Sequence, residues 1–243
     1  MIARAARRLL RLLPPGTVVR VLRGPLRGFR WVVGTAPHGA WLGRLEPASL
    51  ALFAGAIAPG ATVWDIGANV GLFTLAAARA AGPGGRIVAF EPFPDNVAAL
   101  KRHLRLNAIT NVQVVEAAVG REAGRARMAA GDSLSEARVA ADGAVDVPVV
   151  ALDGWVDAGG AHPPSVVKID VEGAELDVLS GAGAALAHRP VILLSVHSAD
   201  LAVRCLAWLT AAGYRVEGVG GEPPRDTSEW VARPAATPSA GRG

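Results

Sequence analysis

From residue 61 onward the chain alternates two hydrophobic rhythms. Short unbroken apolar runs near 62–66, 86–90, 112–116, 165–170 and 190–196 have the length and β-branched content of strands buried on both faces. Between them, near 70–81, 94–107, 173–187 and 199–212, apolar positions recur every three or four residues, the spacing of helices with one buried face. Strand–helix alternation of this kind predicts an α/β fold, doubly wound around a mostly parallel sheet with helices on both faces. Stretches 214–219 and 229–232 are expected to close the edge as an antiparallel pair, which makes seven strands. The segment 120–150 breaks the rhythm. Gly120, Gly124, Gly131 and Gly143 punctuate it, and an inserted β-hairpin is expected there.

The first part of the chain follows a different pattern. Residues 1–13 alternate Arg4, Arg7, Arg8 and Arg11 with Ile2, Leu9, Leu10, Leu12 and Leu13, a short basic amphipathic helix. It reads either as a helix lying on the domain or as a weak membrane-surface contact. Stretch 18–34 is extended and broken by Gly24-Pro25, a small hairpin; 47–58 has helical spacing and stops at Pro59-Gly60. The expected organisation is an N-terminal basic helix and flap over 1–58, the α/β domain over 59–233, and a disordered tail over 234–243.

Charge changes the picture in one respect. The chain has 243 residues, a formal net charge of +4 and a sequence pI of about 10.1, which invites a nucleic-acid partner. Residues 1–45, however, hold nine arginines and no acid, while the remainder carries 16 basic against 21 acidic residues. The body is mildly acidic, and this argues against nucleic acid. Hydrophobic residues make up 51% and aromatics 5%, so the core is built mainly from Ala, Val and Leu. Cys205 is the sole cysteine, which excludes an intrachain disulfide or a cysteine metal cluster and fits a cytoplasmic location. Arginines and Pro14-Pro15 interrupt the N-terminus as a signal peptide, and no apolar run reaches the roughly 18–20 residues of a membrane span.

Candidate chemistry gathers at the strand ends. Asp65-Ile66-Gly67-Ala68-Asn69-Val70-Gly71 reads as strand, glycine turn and helix start, the arrangement by which open α/β sheets hold nucleotide-like ligands. A carboxylate two residues before the first glycine would repel a pyrophosphate, and the third glycine of a dinucleotide turn is missing. Such a site suits a ligand with a cationic end, and S-adenosylmethionine, with its sulfonium and ammonium groups, fits. Asp65, Gly67, Asn69 and Gly71 are its candidate contacts. Glu91 ends the second strand 20 positions after Gly71, the spacing at which an acid meets ribose hydroxyls. Phe90 beside it reads either as a core residue or as a wall for adenine. Glu116 and Ala117, at the end of the third strand, are the next positions available to the base. Asp170 ends the fourth strand and His197 follows the fifth, which places both at the crevice. Asp170 is a candidate catalytic carboxylate and His197 a candidate general base, although a lone histidine is as readily structural. Glu172 and Glu175 read as first-turn acids of a helix.

These residues resemble the FkbM-type family of S-adenosylmethionine-dependent methyltransferases, with class I, Rossmann-like architecture. The resemblance is carried by Val63 to Gly71, by Phe90-Glu91-Pro92 with Asn96, by Leu106-Asn107 with Asn111-Val112, and most specifically by Lys168-Ile169-Asp170-Val171-Glu172-Gly173-Ala174-Glu175. It covers about residues 20–200. It implies that Asp65, Gly67, Asn69 and Gly71 hold the methionine and ribose side of the cofactor and Glu91 its ribose hydroxyls. Members often carry Glu in the fifth strand where this chain has Ser195. The expected reaction is O-methylation of a hydroxyl on a small molecule, sugar or polyketide-like acceptor. Alternatives are RNA or protein methylation, a non-catalytic S-adenosylmethionine-binding partner protein, and a nicotinamide enzyme, which Asp65 disfavours. No metal is assigned; metal-assisted transfer through Asp170 and His197 stays an alternative.

Overall fold

The computed structural model describes residues 13–129, 138–139, 143, 145–157, 159 and 162–235. The basic helix expected over 1–13 and the tail beyond residue 235 lie outside the described residues, apart from Leu13. The described chain opens with β1 (Val18–Arg20) and β2 (Arg30–Val32), an antiparallel pair, followed by helices α1 (Gly39–Leu42) and α2 (Pro47–Ala56). The alternation then runs β3 (Thr62–Ile66), α3 (Leu72–Ala81), β4 (Arg86–Phe90), α4 (Pro94–Leu106) and β5 (Val112–Val115). Next come β6 (Ala118–Val119), β7 (Gly124–Ala129), β8 (Arg138–Val139) and β9 (Val145–Val150), then α5 (Leu152–Asp157). The remaining elements are β10 (Val166–Ile169), α6 (Glu175–Ser180), β11 (Val191–Ser195), α7 (Ala199–Ala211), β12 (Tyr214–Gly218) and β13 (Glu229–Pro234).

Seven strands form one sheet in the order β12-β13-β11-β10-β3-β4-β5. From β11 to β5 the pairings are parallel, and β13 runs against both its neighbours. The unbroken apolar runs are explained by burial on both faces. Val63, Ile87, Val166 and Leu193 point into a core shared with α2, α3 and α4. Trp64, Val88, Val167 and Leu194, one residue on, point into a second core with α6 and α7.

Three boundaries depart from expectation. The helix expected over 173–187 is only α6 (Glu175–Ser180) followed by a 3-10 turn at Ala185–His188. Glu172 and Gly173 hold φ of +52° and +109°, which delays the helix. At its far end a Cβ on Gly181 would lie 2.4 Å from the Gly120 carbonyl oxygen, so the backbone of the insertion stops it. The insertion itself exceeds a hairpin: its strands form a separate sheet in the order β6-β9-β7-β8, with residues 130–137, 140–142 and 144 outside the described residues. β13 extends to Pro234, the first residue of the expected tail.

The N-terminal hairpin is fastened to α3 and α4 by polar contacts. Arg79 of α3 lies 3.7 Å over the Phe29 ring and donates to the carbonyls of Pro25 and Arg27. Asn107 exchanges hydrogen bonds with the backbone of Arg30.

Candidate active site

The turn after β3 is shaped by close backbone approach. Gly67 has φ +80°, and a Cβ there would fall 1.8 Å from the carbonyl oxygen of Asp170. No side chain fits between these strand ends. The amides of Gly67 and Ala68 both donate to the Phe90 carbonyl oxygen, which ties the turn to the end of β4. Asn69 follows in the left-handed region at φ +50°, its Oδ1 accepting from the amide of Val70. Gly71, at φ +100°, then starts α3.

Glu91 closes the other side. It is buried, and its Oε2 accepts from the amide of Asn69 at 2.8 Å. Its Oε1 accepts from the Phe93 amide at 2.9 Å and from Asn96 Nδ2 at 3.2 Å. Burial raises its pKa, opposed by these three donors. Turn and carboxylate face a cavity of about 300 Å³, at the small end of ligand pockets. Gly67, Asn69, Phe90, Glu91, Ala117 and Asp170 all line it. Phe90 serves the core as well, edge-on to Trp64 and Trp155.

The floor is a buried charged group. In the parallel register Lys168 of β10 sits opposite Asp65 of β3, both on the face that packs against α3. Lys168 Nζ contacts Asp170 Oδ2 at 2.9 Å and lies 4.5 Å from the centroid of the Phe73 ring. Burial alone would lower the pKa of Lys168, but the carboxylates of Asp170, Asp65 and Glu46 outweigh it and hold it above the ordinary value. Asp170 is correspondingly held below the usual carboxylate range: burial opposes, Lys168 prevails. Asp65 is fully buried and raised by desolvation. Its Oδ2 accepts from Thr74 Oγ1 at 2.6 Å, whereas Oδ1 is buried with no hydrogen-bond partner among the described residues. Glu46, with φ +44° at the start of α2, brings a further carboxyl to the cavity wall, raised by desolvation. Ser195 pairs in register with Glu229 of β13, and its hydroxyl donates to Glu229 Oε2 at 3.1 Å, so a carboxylate from the neighbouring strand reaches the end of β11.

His197 leaves β11 toward the loop after β10. Its Nδ1 meets Glu175 Oε1 at 2.8 Å; its Nε2 lies 3.3 Å from Glu172 Oε2 and 3.5 Å from Asp170 Oδ1. The Glu175 hydrogen bond, against the opposing effect of burial, and the charges of Glu172 and Asp170 push its pKa up to about 9. The imidazole is therefore protonated at neutral pH and is not a ready base in this arrangement.

Several sequence expectations fall outside the cavity wall. Asp65 lies behind it, and Gly71 acts through the backbone at the head of α3. His197 stands beside Asp170 without lining the cavity. Glu116 turns to the surface, drawn 2.5 Å from Lys101 of α4, while its neighbour Ala117 lines the cavity. Glu175 is more than a first-turn acid: it is fully buried and also accepts from the Gly173 amide. Glu46, Glu229 and His103 carried no sequence signal, because their roles come from register and packing. His103 of α4 is stacked on Trp31 of β2, with ring centroids 4.1 Å apart. The Val32 amide donates to its Nε2 at 3.0 Å, so the proton is on Nδ1, which donates to the Val70 carbonyl at 2.8 Å. Burial drives its pKa down to about 4. Hairpin, α4 and glycine turn are thus joined through one neutral imidazole.

Comparison with known proteins places this geometry. Residues 65–216 match the methyltransferase FkbM domain. Among solved structures, methyltransferase FkbM from Methylobacillus flagellatus KT is 17% identical with a TM-score of 0.53, covering 82% of this chain and 55% of that one. This chain thus spans about half the length of that protein. A SAM-dependent O-methyltransferase from Thermotoga maritima is 14% identical with a TM-score of 0.53, covering 92% of this chain and 79% of that one. At these identities the likeness is one of fold. No curated protein matches the chain in sequence.

Proposed function

The chain belongs to the FkbM methyltransferase family, and from that premise we propose that it is an S-adenosylmethionine-dependent enzyme methylating a hydroxyl oxygen of a small-molecule or glycan acceptor. The observation that carries this reading is the cavity in which the Gly67 turn and the Glu91 carboxylate meet Asp170. The donor set fits the cofactor. Glu91 offers carboxylate oxygens to vicinal ribose hydroxyls, Ala117 and Phe90 offer an apolar wall for adenine, and the Gly67 and Asn69 turn, with the carboxyls of Glu46 and Asp170 also on the cavity wall, suits a cationic methionine end. When bound, the cofactor supplies a methyl group on a sulfonium centre, and the acceptor oxygen takes it as the carbon–sulfur bond breaks and its electron pair stays on sulfur.

The protein's own part is positioning, which supplies roughly 7–11 kcal/mol in well-aligned bimolecular reactions. Asp170 Oδ1 accepts a hydrogen bond from the acceptor hydroxyl and takes its proton as the bond to carbon forms. A carboxylate held low in pKa serves here, because the oxygen becomes strongly acidic once alkylated. Lys168 keeps Asp170 ionised, and His197, protonated among three carboxylates, fixes its orientation. Trp31 and Glu46, from the N-terminal section, wall the cavity against water.

Calorimetry with S-adenosylmethionine, S-adenosylhomocysteine and NAD tests the reading. Binding of the first two without NAD is expected; binding of NAD alone overturns it. Asp170→Asn and His197→Ala are expected to lower turnover on the acceptor, and unchanged turnover in both removes their assigned roles.

A further inference from the structure

Asp170, Glu172 and His197 each present one ligand atom, and these atoms lie within 4.8 Å of one another. Asp170 and Glu172 line the cavity, so whatever they hold stands at its wall. Three features around the cluster bear on its occupant. First, the far nitrogen of His197 is bonded to a fully buried carboxylate, Glu175, which also accepts from the Gly173 amide. A carboxylate behind an imidazole fixes its tautomer and turns the other nitrogen outward, the support that metal-binding histidines have. Second, Glu175 Oε2 is buried with no hydrogen-bond partner among the described residues, a setting in which positive charge on the ring, whether a proton or a cation on the other nitrogen, is favoured. Third, Glu172 adopts φ +52° directly before Gly173 at +109°, a left-handed pair that turns its carboxylate back to the strand end. Lys168 occupies Asp170 Oδ2 only, and Oδ1 is the oxygen nearer the imidazole.

Two carboxylates and one imidazole make a mixed oxygen and nitrogen set. Carboxylates suit magnesium and manganese, while imidazole favours the transition metals, so manganese(II) answers to both. We propose that Asp170, Glu172 and His197 bind one divalent cation of the manganese(II) class, which displaces the Nε2 proton of His197 to solvent while Nδ1–H stays on Glu175, and whose open coordination positions hold an acceptor with two adjacent oxygens, such as a vicinal diol. This deepens the methyltransferase reading and rests on it. With the cation in place Asp170 Oδ1 is a ligand and no longer the proton acceptor: the cation acidifies the bound hydroxyl, whose proton passes to water as the bond to carbon forms.

Titration of the chelator-treated full chain with Mn²⁺, followed by the electron paramagnetic resonance signal of the free ion, tests this apart from activity. One bound equivalent is expected for the wild type, with affinity lowered at least about tenfold in Glu172→Gln and in His197→Gln. S-adenosylhomocysteine binding by calorimetry is expected to stay unchanged in both. Wild-type protein that binds S-adenosylhomocysteine but leaves all Mn²⁺ free overturns the proposal, as does undiminished Mn²⁺ binding by the variants. Should His197→Gln fail to fold, Glu172→Gln decides alone, since Glu172 lies outside any strand or helix. Failure of the wild type to bind S-adenosylhomocysteine sinks the methyltransferase reading instead, and the Mn²⁺ titration still stands or falls by its own result.

Discussion

Gly67 and Gly71 both hold a positive φ that side chains rarely adopt, but a methyl group on Gly67 would also sit 1.8 Å from a backbone oxygen, whereas one on Gly71 would meet the Leu100 Cδ1 tip at 2.5 Å. Backbone cannot yield as a leucine rotamer can. Gly67→Ala is therefore expected to lose about 3 kcal/mol or more and to abolish S-adenosylhomocysteine binding, and Gly71→Ala to cost less. Urea unfolding of both variants checks the order, and equal losses contradict it. Lys168 offers a second case. It is buried, and Asp65 and Asp170 rely on its charge. Lys168→Met keeps the stem but strands one fully buried carboxylate, Asp65, and one partly buried, Asp170, a change expected to cost about 3–5 kcal/mol. The pKa of Asp170 is expected to rise in the variant, and carboxylate titration by NMR reads this directly. The second effect was not visible in the sequence, where Lys168 opens the block that carries the family resemblance but has no role of its own; its meaning comes from lying opposite Asp65 in the sheet.

At the scale of elements, the hairpin β1–β2 is tied to the glycine turn through α4, and His103 is the link. Its folded pKa of about 4 lies below the ordinary 6.5, so the unfolded chain binds the additional proton. Stability from this group is complete above pH 6.5 and is lost as pH falls toward 4, about 2–3 kcal/mol by pH 4.5. Arg102 is the charged neighbour that adds to the lowering, and the Val70 carbonyl opposes it. The raised carboxylates Glu46, Glu91 and Glu229 titrate in the opposite sense, gaining proton-linked stability as pH falls, so total stability is a poor readout. The difference between wild type and His103→Gln isolates the imidazole. Chemical unfolding at pH 7.5, 6 and 4.5 is expected to show that difference shrink as pH falls, and a constant difference rules the link out as a titrating one.

The whole molecule was legible to the extent that it depends on period and spacing. Apolar runs placed β3 and β4 at their observed bounds, and the acid 20 positions past Gly71 reached the cavity, because parallel strands buried on both faces leave no freedom in their pattern. What depends on the meeting of distant segments was not legible. Glu229 comes beside Ser195 through an antiparallel return, and Glu46 arrives from before the first parallel strand. The small sheet shows the same limit: weakly apolar and rich in glycine, it reads as a hairpin, yet it contributes Ala118, Val119 and Met128 to the cavity. Among the described residues its own core is Phe93, Met128 and Val147, far smaller than the two cores flanking the main sheet. Elements with little buried apolar surface open at lower free energy than those of a large core. The cavity therefore joins a firm edge, at Gly67, Glu91 and Asp170, to a wall that opens more readily. A ligand that touches both lowers the population of open wall in proportion to its occupancy. Hydrogen exchange is expected to be faster in β7 and β9 than in β3 and β10 in the free protein. Saturating S-adenosylhomocysteine is expected to slow the amides around Met128 several-fold and to leave those of β11 unchanged. Equal protection across the chain would mean that the small sheet opens only with the whole molecule, and no protection near Met128 would mean that the ligand does not reach that wall.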